Sequence, residues 1–212
     1  MIAEYIEDLI RPAVDASRIM TSKGWCREAA GNISILIDDI IGIGSDETFI
    51  FDSGQFLPRL EGKTILMTRS GSFISEVPQR PEQNLGLYRI GKGGRYLSLV
   101  WGEGAPTSEY LSHLLIYGST GGRVKAVIHS HMDDVDRLAR ELPDIAYGLP
   151  RWIGWVPRIP PGSIELARAT VREIERCDIM VWQGHGVLSP GKDVEDCLSR
   201  LERFEEWAKG IL

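Results

Sequence analysis

Helix-period and strand-period patterns alternate along the whole of this 212-residue chain, which points to helices packed on a sheet rather than to an all-helical or all-strand fold. Ile2, Tyr5, Ile6, Leu9, Ala13, Ala16, Ile19 and Met20 recur at helical spacing, predicting an amphipathic helix over residues 2–22 that stops before Gly24. Asn32–Ile37, Phe49–Phe51 and Thr64–Thr68 read as strands. Leu87–Ile90 and Tyr96–Trp101 flank Gly91-Lys92-Gly93-Gly94, a hairpin signal because glycine tolerates positive φ. Pro106-Thr107-Ser108-Glu109 then opens a helix, with Glu109 expected in its first turn and Tyr110, Leu111, Leu114 and Leu115 as its periodic residues.

The second half repeats the alternation. Lys125–Ile128 is a short buried strand, Asp133–Leu142 a short helix, and residues 148–162 a Trp/Pro/Gly-rich loop with one strand through Trp152–Val156. Ser163 caps a helix to about Arg176, and Ile179–Trp182 is a strand. Val194–Leu212 is a final amphipathic helix, whose Phe204, Trp207 and Ile211 need covering. An α/β sandwich over residues 1–212, as one domain, accommodates all of these elements.

Composition narrows the partners. Acidic residues outnumber basic ones, 30 against 24, and no basic run occurs, so a phosphate backbone or anionic membrane surface finds no complement here. Cys26, Cys177 and Cys197 are odd in number and lack C-x-x-C spacing, which implies reduced thiols and a cytoplasmic protein. Neither a secretory leader nor an apolar run of about 20 residues is expected from the sequence.

Chemistry concentrates in three of the four histidines. His129 and His131, in A-V-I-H-S-H, are two apart on a strand end and therefore project to one face, with Ser130 on the other. His185 lies between Gly184 and Gly186, where the backbone can turn sharply and bring an imidazole to a site built elsewhere. An H-x-H pair alone is weak evidence, because two histidines on a strand end are more often exposed or locally hydrogen-bonded; the added G-H-G element favours a metal site. Three neutral imidazoles hold a catalytic zinc and leave its fourth position open.

Five segments in order carry a further signal: G-W-x4-A-G-N-I-S at Gly24–Ser34, T-R-S-G at Thr68–Gly71, P-T-S-E at Pro106–Glu109, H-S-H at His129–His131 and G-H-G at Gly184–Gly186. Together they resemble the class II aldolase/adducin family. Asn84-Leu85-Gly86 and Leu99-Val100-Trp101-Gly102 extend the likeness to the branch acting on L-rhamnulose 1-phosphate. The resemblance implies a three-layer α/β/α sandwich with a central mixed, largely antiparallel sheet, and a homotetramer with active sites between subunits. It implies one zinc ion per subunit on His129, His131 and His185, and Glu109 as the catalytic acid/base. It places a substrate phosphate against Asn32, Ser70, Gly71, Thr107 and Ser108.

Local sequence gives each assignment a plainer counterpart. Acids favour helix starts through the dipole alone, so Glu109 has two readings. Asn32 can satisfy loop backbone, and Ser70-Gly71 can be no more than a tight turn. Arg69 either adds positive charge to the pocket or is solvated. His113, four residues after Glu109 and on the same helical face, either orients that carboxylate or packs in the core. The tryptophans, Trp152 and Trp155 included, read as packing anchors.

Three departures from the family pattern bear on the aldehyde end of the substrate and on the phosphate. Ala29 and Ala30 stand before Gly31-Asn32 where relatives carry another asparagine; no carboxylate occurs over residues 148–162; and Leu212 follows directly on the last helix. The expected activity is reversible cleavage of a ketose 1-phosphate to dihydroxyacetone phosphate and an aldehyde. A dehydratase or epimerase acting on another sugar phosphate and a non-catalytic adducin-like assembly module are the alternatives.

Overall fold

A computed structural model describes residues 2–27, 29–38, 40, 50–141 and 148–211. Helix α1 (Ile2–Ser22) turns Ile6, Ile10, Ala13, Ala16 and Met20 inward, while Tyr5 and Ile19 stay largely exposed. The first strands are β1 (Asn32–Ile37), β2 (Ile50–Asp52), β3 (Thr64–Thr68), β4 (Leu85–Ile90, after the short helix α2, Pro81–Asn84) and β5 (Tyr96–Gly102). Then come α3 (Tyr110–Ser119), β6 (Ala126–Ser130), α4 (Asp133–Glu141), β7 (Ile153–Val156), α5 (Ile164–Glu173), β8 (Ile179–Trp182), β9 (Gly186–Gly191) and α6 (Val194–Ile211).

Nine strands among the described residues form one sheet in the order β2-β5-β4-β3-β1-β6-β9-β8-β7. Every neighbouring pair is antiparallel except β7 with β8. Strand periodicity sorts side chains into two cores. Ile33, Leu66 and Ile128 face α1, α4 and α6, whereas Ile65, Met67 and Val127 face α3 and α5. Each such fully buried aliphatic side chain contributes roughly 1.5–3 kcal/mol relative to exposure, so register is strongly specified. The expected three-layer α/β/α sandwich, with a mixed and largely antiparallel sheet, is the fold observed.

Several local expectations change. Glu109 is not in the first turn of α3: it is the residue before Tyr110, with non-helical ψ of 10°, and its side chain caps nothing. The helix capped by Ser163, whose Oγ accepts from Leu166 N–H at 3.2 Å, ends at Glu173 rather than near Arg176. Strand β9 follows the G-H-G turn directly; its Pro190 lies past Leu188, the last β9 residue paired with β8. Phe204 is fully buried and Trp207 packs edge-on against Trp152 with ring centroids 6.2 Å apart, so α6 leaves only Ile211 of the expected three exposed. Phe49 and Leu142 lie outside the described residues.

Candidate active site

The antiparallel register of β1 and β6 sets Asn32 opposite His129 at one end of the sheet. His129 is fully buried, and its Nδ1 is 3.0 Å from Val187 O. A carbonyl only accepts, so Nδ1 carries the proton and Nε2 is left with its lone pair. Burial pushes the His129 pKa down to about 3, keeping the ring neutral at ordinary pH. His131 stands one residue past β6, its backbone N–H donating to Trp25 O at 2.8 Å. The Nε2 atoms of His129 and His131 are 2.8 Å apart.

His185 reaches the same spot from the tight turn joining β8 to β9, where its N–H donates to Trp182 O at 2.9 Å. Gly184 has φ +68°, a conformation that disfavours a side chain. At Gly186 a Cβ would lie 2.6 Å from His129 Cε1 and 2.4 Å from Ser130 O, so only glycine lets this turn close on β6. Trp182 lies beside both rings, with centroids 4.7 Å from His129 and 5.2 Å from His185, and its Nε1–H donates to Thr170 Oγ1 at 2.9 Å. The sequence marks Trp182 only as an aromatic on a strand; its backing of the histidines emerges from the fold.

Glu109 is 4% exposed and faces this cluster. Its Oε1 is 2.9 Å from His185 Nε2, its Oε2 is 3.5 Å from His129 Nε2, and Asn32 Nδ2 donates to Oε2 at 2.8 Å. Burial raises the pKa of this carboxyl, but the neighbouring histidines and the Asn32 hydrogen bond outweigh it and hold the group below its ordinary value. Asn32 thus spends a donor on the carboxylate, while its Oδ1 is buried without a partner. Thr107 Oγ1 accepts from Glu109 N–H at 3.4 Å.

These groups open onto a cavity of about 360 Å³. Ser70 and Gly71 line it from the turn after β3; Thr107 and Ser108 line it from the segment leading into α3. Arg27, Ser72 and Pro161 also line it, and nothing in their local sequence distinguishes them. His113 does not. It is fully buried, its Nδ1 lies 2.6 Å from Ser34 Oγ, and that oxygen lies 2.7 Å from Tyr117 Oη. Burial brings the His113 pKa down to about 4. The His113 backbone N–H donates to the Glu109 carbonyl at 3.4 Å, but its imidazole makes no hydrogen bond to the Glu109 carboxylate and belongs to a buried polar cluster.

Three imidazole nitrogens within 4.8 Å of one another can hold a metal ion. The donor set fits a divalent cation: three imidazoles converge, His129 Nε2 keeps its lone pair because Nδ1 bonds Val187 O, and the Glu109 carboxylate beside them supplies negative charge.

An α/β/α sandwich with a three-histidine, one-carboxylate site at the sheet end defines a class that comparison identifies. Residues 11–212 match the family described as the Class II Aldolase and Adducin N-terminal domain, and the chain belongs to that class II aldolase/adducin family. Rhamnulose-1-phosphate aldolase of Escherichia coli O6:H1 is 25% identical over 232 residues, which span 97% of this chain and 83% of that one. A sugar-phosphate aldolase from Thermotoga maritima superposes with a TM-score of 0.77 at 26% identity, covering 97% of this chain and 94% of its own. The L-fuculose-1-phosphate aldolase of Thermus thermophilus shares the fold, with a TM-score of 0.65 at 16% identity over 96% of this chain and 92% of its own. No helix among the described residues is long and apolar enough to cross a membrane.

Proposed function

We propose that this protein is a zinc-dependent aldolase that reversibly cleaves a ketose 1-phosphate, L-rhamnulose 1-phosphate foremost, to dihydroxyacetone phosphate and an aldehyde. The observation that carries the reading is the convergence of His129, His131 and His185 on the Glu109 carboxylate, at the mouth of a cavity lined by Ser70, Thr107 and Ser108 hydroxyls. His129, His131 and His185 would hold one zinc per subunit, and such an ion would supply Lewis-acid polarisation of the ketose carbonyl and offset negative charge developing on its oxygens. Glu109, ionised and oriented by Asn32, moves the proton on and off C3 of dihydroxyacetone phosphate. Asn32, Ser70, Gly71, Thr107 and Ser108 form the phosphate cradle, where hydroxyls and exposed N–H groups receive a dianion.

The chain acts as one domain over residues 1–212, in the cytoplasm, as a homotetramer with active sites between subunits. Ile50, 56% exposed, and Phe56, 76% exposed, offer apolar surface near the β2 edge for such contacts. Light scattering tests the assembly, and an active monomer would contradict it. Product analysis on a panel of phosphorylated ketoses, run beside elemental analysis, tests the chemistry. Aldehyde plus dihydroxyacetone phosphate supports cleavage; a dehydrated or epimerised product moves the same site to another reaction; absence of metal and turnover favours an adducin-like module.

A further inference from the structure

One charge in the cavity wall has no counterpart. Arg69 opens the turn that carries Ser70 and Gly71, and the backbone fixes it there. Its N–H donates to Asn84 O at 2.9 Å, its carbonyl accepts from Ser72 N–H at 3.2 Å and Ser72 Oγ at 2.7 Å, and it bridges antiparallel to Pro106. Its aliphatic stem runs along Gly104, where a Cβ would come within 2.7 Å of Arg69 Cδ and 3.3 Å of Cγ. Any larger residue at that position displaces the arginine. Its Nε is buried with no hydrogen-bond partner, and among the described residues no carboxylate pairs with its guanidinium.

The other charged groups of this wall are committed. Arg27 pairs with Asp133, and Glu109 is held by Asn32 and His185. A guanidinium in a cavity wall with no carboxylate beside it is an uncompensated positive charge, which a bound anion offsets. A guanidinium is planar, permanently charged, and matches two phosphate oxygens at once, which a hydroxyl cannot do. Ser70 and Thr107 can hydrogen-bond neutral sugar oxygens as well as phosphate, whereas the attraction between the Arg69 charge and an anion is gained only with the phosphate.

We propose that Arg69 is a specificity-determining residue: its guanidinium pairs with the phosphoryl dianion and makes the cavity select phosphorylated over unphosphorylated sugars. This rests on the phosphate reading of the cradle given above. The test uses a matched pair of enediolate analogues, phosphoglycolohydroxamate and glycolohydroxamate, titrated calorimetrically into the metal-loaded protein. Arg69→Gln is expected to weaken binding of the phosphorylated probe by roughly 10- to 100-fold, and of the other by under about twofold, with metal content unchanged. Arg69→Lys keeps the charge without the planar fork and should fall between. Arg69→Met, which retains packing along Gly104, replaces the Gln variant if that one does not fold. Equal losses for both probes, or a wild-type preference surviving in Arg69→Gln, overturn the role of Arg69 while leaving the proposed cleavage intact. If wild type itself shows no preference for the phosphorylated probe, the phosphate reading fails and takes this one with it.

Discussion

The three-histidine corner and the proposed phosphate cradle border the same cavity but are built differently. The corner stands on paired strands: His129 is on β6, whose five residues are all buried, and His185 is gripped by a turn that tolerates no Cβ at Gly186. The cradle stands mostly on connections, with Ser70, Gly71 and Ser108 exposed, although Asn32 sits on β1 and both it and Thr107 are buried. On the proposed reading, the chemistry any ketose phosphate would need stands on packed strands, while most of the recognition stands on connecting segments.

The sharpest way to break that contrast is at the corner itself. His185→Ala removes one of three imidazoles and should strip most of the metal and essentially all turnover from a chain that still folds. Full metal occupancy by elemental analysis would exclude His185 from the ligand set. Next in size, Glu109→Gln should cost roughly 10²–10⁴ in turnover with metal retained, because the amide keeps the shape but cannot act as a base. Solvent deuterium exchange into dihydroxyacetone phosphate reads this step without the aldehyde; near-normal exchange would place the base elsewhere.

Gly186→Ala tests rigidity rather than chemistry. The added methyl displaces the His129 ring and should lower metal affinity by about 10–100-fold, as losing an orienting contact does. Unchanged affinity would mean that the corner yields, and that the contrast with the cradle is overdrawn. The smallest effect is expected in the cradle, where Ser108→Ala should weaken phosphate binding by on the order of 1–3 kcal/mol without touching metal content. If phosphorylated and unphosphorylated inhibitors lose equally, Ser108 does not meet the phosphate.

Legibility from sequence follows the same division. The period of Ile6, Ala13, Ala16 and Met20 delimits α1 to the residue, and the β-branched runs Asn32–Ile37 and Thr64–Thr68 between turn segments delimit β1 and β3, since local composition dictates those elements. The histidines and the P-T-S-E segment are legible as chemistry. Their partners are not. Asn32 meets Glu109 through the fold, Trp182 backs His129 from a strand far away in sequence, and the Arg69 stem lies along Gly104. Strand β9 escapes notice because V-L-S-P-G carries turn residues; proline is acceptable there only because β8 has already ended beside it. Burial of Phe204 against other elements likewise removes the reason that α6 alone gave for expecting a partner.

Sheet order gives the molecule a history of assembly. Strands β2, β5, β4 and β3 come from one continuous stretch of chain, and β6, β9, β8 and β7 from a later one; β1, from near the N-terminus, lies between the two blocks. Each block can pair largely within itself, whereas β1 closes across both, by the slow kind of non-local contact. Ser70 and Gly71 belong to the first block, the three histidines to the second, and Asn32 to the seam that joins them. The cavity is therefore absent from either half alone and exists only once the seam has zipped. On the proposed reading, opening of β1 would part the cradle from the histidines and split the sheet at its centre, so loss of the site and loss of the fold should coincide.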